Sequence, residues 1–170
     1  HFDLDHEMMD SLQNQIPGYS MRMQEVTAAM LTPQIARLPV IKDIHVRNWH
    51  LLHAIINDHP NIEIPMPLPQ VDSFCDTMQF HLVGLSRERA DRFIDVMKQE
   101  GIPMQIFGAK RNARDFRQWE YIEAHKDELR DTIANIEFAC DLSLQPHLTE
   151  ENIRVIGRVL QEVLDYINRT

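Results

Sequence analysis

The sequence predicts an α+β domain, a small sheet packed with helices, preceded by a long helical arm. Three observations predict it. Residues from about Met23 to about Asn57 carry helical spacing interrupted only by prolines. HPNIEIPMPLPQ, residues 59–70, has four prolines and reads as an extended connector. Beyond it, alternating and helical apolar patterns follow one another in the order strand, helix, strand, helices, strand, helix. The chain therefore divides into an arm over residues 1–58 and a small α/β domain over residues 59–170.

Residues 3–15 form a weak helical pattern, broken at Ile16-Pro17-Gly18 because proline lacks an N–H and glycine allows positive φ. Pro33 and Pro39 divide the arm into two helices with a joint near Arg37 to Pro39. Ile41, His45, Trp49, Leu52 and Ile56 line one stripe of the second. A short strand is expected around Ile62 to Ile64. Met78, Phe80 and Leu82 alternate within Thr77–Gly84, as a half-buried strand requires. Ser86 caps a helix that Gly101 ends, with Ala90, Phe93, Ile94 and Met97 on one face. Ile102 to Phe107 reads as a second strand, Asn112–His125 and Lys126–Phe138 as helices, and Asp141 to Leu144 as a third strand. Thr149 caps the last helix, and Glu150 and Glu151 complement its positive first turn. Its buried face is Ile153, Ile156, Leu160, Val163, Leu164 and Ile167.

The chain is 44% hydrophobic, enough for a core, and its formal net charge of -9 opposes nucleic-acid or anionic-membrane binding. Nothing approaches the ~20 consecutive apolar residues of a membrane helix. Cys75 and Cys140 read as buried, reduced thiols, which points to a cytoplasmic protein. HFDLDHEMMDSLQNQ opens the sequence without an initiator Met and reads as a cut into a longer chain.

Neither a Gly-rich phosphate loop nor a nucleophile elbow is visible. His45, His50 and His53 share a helix, but their spacings of five and three residues do not match the i, i+4 pair of helical metal sites. Partly exposed helix positions explain them, and a structural hydrogen bond explains His81. Lys110, Arg111 and Arg114 are the densest positive patch and follow a strand end. Loops there often carry binding groups, and arginines hold a carboxylate or phosphate bidentately. A solvated helix start is the competing reading.

Gly18-Tyr19-Ser20-Met21-Arg22-Met23-Gln24-Glu25-Val26-Thr27-Ala28-Ala29 resembles the G-x-N-x-R-M-x-E-x-x-A-A signature of the DegT/DnrJ/StrS family of pyridoxal-phosphate-dependent (PLP-dependent) sugar aminotransferases, fold type I. LTPQIARLPVIKDIHVRNWHLLHAII, ADRFIDVMKQEGIPMQIFG and LSLQPHLTEENIRVI resemble later family segments in the right order. The resemblance implies the small C-terminal domain of such an enzyme, with its arm linking to a large domain and a dimer interface. It implies a homodimer, PLP as cofactor, glutamate as amino donor and a keto-sugar acceptor, nucleotide-linked or a sugar acid. The family's large domain carries the Schiff-base Lys and the Asp that pairs with the pyridinium nitrogen. Neither motif is present, so the chain alone is expected to be inactive.

In the family, the signature Asn bonds the cofactor phosphate in the partner's active site. Ser20 stands there, and its shorter hydroxyl still donates one hydrogen bond. Arg22 matches the signature and faces two roles, phosphate or substrate acid against an ion pair with Glu25. The family's His-Tyr pair after Phe107-Gly108 is missing, Gln145 replaces a common His, and Ser143 replaces a common Pro. These departures suggest an unusual acceptor, and Lys110, Arg111 and Arg114 suit an acid. Two other readings remain: a non-catalytic ligand-binding or dimerisation module derived from the family, and a regulator that has lost sugar chemistry.

Overall fold

The computed structural model describes residues 23–65, 68–109, 112, 115–122 and 128–169. The weak helical pattern expected over residues 3–15 lies outside them. The arm is two helices, α1 (Glu25–Ile35) and α2 (Leu38–Ile56). Pro33 removes one rung of α1, which stops two residues later. Pro39 sits in the first turn of α2, where no N–H is needed.

Four strands follow: β1 (Ile62–Glu63), β2 (Thr77–Leu82), β3 (Gln105–Ile106) and β4 (Ala139–Ser143). They form an antiparallel sheet in the order β1-β2-β4-β3. Register explains its two faces. Met78 sits opposite Leu142, Phe80 opposite Cys140, Cys140 opposite Ile106, and Leu82 opposite Ile62. All of these side chains are buried. One residue along, Thr77 meets Ser143, Gln79 and Gln105 flank Asp141, and Glu63 meets His81. A period of two thus separates an apolar inner face from a mostly polar outer one.

The inner face is covered by α3 (Arg87–Gln99) and α5 (Glu150–Arg169), with α2 packed on α5. Ala90, Phe93 and Met97 of α3 meet Ile153, Leu160, Leu164 and Ile167 of α5 in one core, which Leu52 and Ile56 of α2 complete. Each of the larger of these side chains contributes roughly 1.5–3 kcal/mol by leaving water. Caps fix the ends. Ser86 Oγ accepts from the Arg89 N–H at 3.3 Å. Gly101, at φ +79°, ends α3 while the Ile102 N–H reaches back to the Met97 carbonyl. Thr149 and Asn152 cap α5 reciprocally: Asn152 N–H donates to Thr149 Oγ1, and Thr149 N–H to Asn152 Oδ1.

α2 is bound to α5 by more than apolar contact. Gln161 Nε2 donates to the Ile55 carbonyl at 2.7 Å, one of the last four that a helix leaves unsatisfied. Asn48, fully buried, donates to the Leu148 carbonyl at 3.1 Å. The helices approach so closely at Gly157 that a Cβ there would lie 2.7 Å from Ile55 Cγ2.

The structure departs from expectation at four element boundaries and in the burial of two side chains. The strand expected over Ile102–Phe107 is only Gln105–Ile106, since the preceding residues close the helix cap. The expected Asn112–His125 helix gives way, over its described part to residue 122, to turns and a 3-10 segment at Phe116–Gln118. Side chains of Asn112, Asp115 and Arg117 take up the backbone groups a helix would use. The helix expected from Lys126 is α4 (Arg130–Glu137), and β4 follows it at Ala139 rather than Asp141. His45 is buried, not partly exposed, with its ring 5.3 Å from that of Phe74. Cys75 is only half-buried and holds φ at +59°, whereas Cys140 is fully buried. Among the described residues no helix is long and apolar enough to cross a membrane.

Two outcomes follow from this packing. Gly157→Ala inserts a methyl group where Ile55 stands, and is expected to cost about 1–3 kcal/mol, read as a lower midpoint in chemical denaturation. Burial pushes the Cys140 thiol well above its ordinary pKa, against a smaller opposing pull from Arg87. A thiol reagent at neutral pH should therefore label Cys75 in the native chain and Cys140 only after denaturant is added, as peptide mapping would show.

Candidate functional site

Ser20, Arg22, Lys110, Arg111 and Arg114 lie outside the described residues. The described residues around the last three in sequence begin where β3 leaves the sheet. Phe107 N–H donates to the Ala139 carbonyl and Gly108 N–H to the Ile136 carbonyl, each at 2.9 Å. Asn112 Nδ2 donates to the Ile106 carbonyl at 2.9 Å. Asn112 N–H, Asp115 N–H and Gln118 N–H each reach three residues back, to Ala109, Asn112 and Asp115. These are turns laid end to end, which bring Gln118 back towards the strand.

One ion pair closes the frame. Arg117 Nε donates to Asp115 Oδ1 at 2.8 Å, and its Nη2 to Asp115 Oδ2 at 2.9 Å. The same Nη2 donates to the Gly108 carbonyl at 2.9 Å. Asp115 Oδ1 also accepts the Arg117 backbone N–H at 3.0 Å, which caps the 3-10 segment. The Asp115 side chain is 4% exposed and that of Arg117 is 32% exposed. Burial opposes charge on Asp115, but the hydrogen bonds and charge of Arg117 outweigh it and hold the carboxyl below its ordinary range. Arg117 is held above its own ordinary value, first by its hydrogen bond to Asp115. The pair is thus charged across the physiological range.

Gly108 is required at the crossing. A Cβ there would lie 2.9 Å from the Ile136 carbonyl oxygen and 3.0 Å from Arg117 Nη2. On the other side Arg87, from the first turn of α3, donates to the Glu137 carbonyl at 3.2 Å and pairs with Asp91 at 2.9 Å. Arg87, Asp91, Asp115, Arg117 and Glu137 line a groove of about 690 Å³. Both of these arginines are already matched by a carboxylate, so the described part of the groove presents no surplus positive charge. Arg87, Asp115 and Arg117 escaped the sequence reading. The one local signal was Asp-Phe-Arg at 115–117, an Asp two residues ahead of an Arg with a turn between.

A second groove, of about 570 Å³, lies at the other end of the strands, near Thr77. Trp49 and His50 of α2 form one wall; Asp72, Cys75, Asp76 and Gln79 form the other. The Trp49 ring is already engaged, stacked on His53 at 5.0 Å and met edge-on by His50 at 5.2 Å. Among the described residues no three His, Cys, Asp or Glu side chains gather to hold a metal ion.

Solved structures share this fold. 3-Amino-5-hydroxybenzoic acid synthase superposes with a TM-score of 0.70 at 21% identity, over 89% of this chain and 41% of that one. A Streptococcus pneumoniae protein assigned as a sugar aminotransferase, in its PLP form, gives 0.73 at 15%, over 89% and 38%. Helicobacter pylori PseC, an aminotransferase of pseudoaminic acid biosynthesis, gives 0.70 at 14%, over 89% and 40%. At these identities the likeness concerns fold, and the chain spans about two-fifths of the length of each. No curated protein sequence matches it. The α+β architecture with its helical arm is that of a portion of fold type I PLP-dependent enzymes. The family model for the DegT/DnrJ/EryC1/StrS aminotransferases matches residues 3–161, nearly the whole chain, and this chain belongs to that family.

Proposed function

We propose that the chain is the C-terminal portion of a PLP-dependent aminotransferase that moves an amino group from glutamate to a keto-sugar, nucleotide-linked or a sugar acid. The observation that carries this reading is the family match over residues 3–161, supported by solved sugar aminotransferases that share the fold. The domain division at residues 58 and 59 belongs to the same reading. So does the homodimer, because α1 buries none of its residues while Val26, Met30 and Ile35 are at least 62% exposed. An apolar helix surface of that kind needs a partner.

PLP, when bound, supplies the electron sink for amino transfer. The donor chemistry of Ser20 and Arg22 suits its phosphate, since a hydroxyl and a guanidinium both donate to phosphate oxygens. Lys110, Arg111 and Arg114 are assigned to an acidic group of the acceptor. The anchoring Lys comes from outside this chain, so the chain alone does not catalyse amino transfer.

The test is made on the full-length gene product, with PLP affinity followed by cofactor fluorescence and turnover by glutamate consumption with keto-sugar acceptors. Arg22→Ala is expected to weaken PLP binding by roughly tenfold or more, and Ser20→Ala by less, as charge-assisted and neutral donors differ. PLP binding without turnover of any keto-sugar would favour the ligand-binding module instead. Separately, the isolated chain is expected to self-associate through Met30, Leu31, Ile35 and Leu38, all exposed. Sedimentation that finds it strictly monomeric, or dimers untouched by Met30→Glu with Ile35→Glu, would remove the arm from the interface.

A further inference from the structure

We infer that residues 68–76 form a strap that lifts off α2 as a unit and gates the groove beside Trp49. This motion is independent of amino transfer. None of residues 68–76 belongs to the apolar core or packs against it. Leu68 and Val71 are 66% and 56% exposed. Val71 N–H donates to the Leu68 carbonyl and Cys75 N–H to Ser73 Oγ, so both bonds stay within the stretch. Among the described residues, no backbone hydrogen bond ties residues 68–75 to the rest of the fold. The first such tie is at Asp76, whose carbonyl accepts the Leu144 N–H at 2.8 Å. A segment with little buried surface and few bonds to the body opens locally, far below the cost of global unfolding.

Two side-chain contacts fasten the strap to α2. Lys42 Nζ pairs with Asp72, whose side chain is 87% exposed. An ion pair so open to water is weak and screened by salt. One turn further along α2, the His45 ring meets that of Phe74, with centroids 5.3 Å apart. His45 is 5% exposed, and its Nδ1 is buried with no hydrogen-bond partner. A buried polar atom without a partner favours the state in which water reaches it. Cys75 follows Phe74 at φ +59°, in the left-handed region where a side chain is strained. Both features tip the balance towards lifting. The strap supplies Val71, Asp72 and Cys75 to one wall of the 570 Å³ groove, and α2 supplies Trp49 and His50 to the other. Lifting the strap therefore widens the groove and extends it along α2 by one turn, from Trp49 to His45.

Two readouts on the full-length protein test this. Diethyl pyrocarbonate modifies accessible imidazoles, and mass mapping compares buried His45 with exposed His50 on the same helix. Chymotrypsin cuts after Phe74 only when that ring leaves His45. In the unmutated protein both events are expected well below the denaturant concentration that unfolds the core. Lys42→Ala is expected to speed both by about threefold, as loss of one exposed ion pair would, with the thermal midpoint little changed. Raised salt should act in the same direction. Cys75→Gly is expected to slow both by about fivefold, because glycine adopts this backbone conformation without strain. If His45 reacts and Phe74 is cut only as the core unfolds, the strap does not open and the inference falls. It falls equally if Lys42→Ala changes neither readout. If it changes one and not the other, residues 68–76 do not move as a unit, and the inference is overturned in that way instead.

Discussion

The close crossing of α2 and α5 at Gly157 is the constraint on which the rest of the structure depends. α5 lies across the inner face of the sheet, so whatever seats α2 on α5 also seats the arm on the domain. A glycine permits that approach because Ile55 occupies the space a side chain would take. Apolar packing alone would leave the rotation of α2 loosely set. The bonds from Asn48 to Leu148 and from Gln161 to Ile55 pin both ends of the contact. The proline joint before α2 then sets the direction from which α1 arrives.

Much of this fold was legible in the sequence because its signals are local. Alternation in Thr77–Leu82 and the stripe of Ile153, Leu160, Leu164 and Ile167 need no partner to be read. The caps at Ser86, Gly101 and Thr149 fall where backbone chemistry demands them. The misplacements fall where tertiary contacts decide. β3 is two residues long because Ile102 is committed to closing α3. The described part of the stretch after it avoids a helix because Asn112 and Arg117 bond the carbonyls of Ile106 and Gly108 while Asp115 caps the short 3-10 turn, which no helical pattern reveals. His45 was misjudged for the same reason: its ring meets that of Phe74, which lies beyond the proline-rich connector.

The candidate site is another matter. Resemblance to a family signature pointed to Ser20 and Arg22, and charge density pointed to Lys110, Arg111 and Arg114, all of which lie outside the described residues. The supporting residues were not visible, because support is a matter of saturation. Arg117 has its fork filled by a buried carboxylate and a carbonyl, which sequence does not show. Arg87 is a similar case. It sits in the first turn of a helix, where a cation is mildly unfavourable, and this is compensated by Asp91 and by the carbonyls of Gly108 and Glu137.

The two halves of the chain make opposite demands on their surroundings. The sheet domain buries its apolar residues internally and turns Thr77, Gln79, His81, Gln105 and Glu63 outward, so its outer face tolerates water or a polar cleft. α1 buries nothing and turns Val26, Met30 and Ile35 outward, so it is stable only against another surface. An isolated helix of its length is marginal in water, since nucleation is costly and few turns repay it. The domain therefore has the means to fold on its own contacts, whereas α1 draws its stability from whatever it touches. Because α2 is rigidly fixed to the domain and continuous with α1 through one turn, a surface that captures α1 also sets where the groove beside Gly108 will stand.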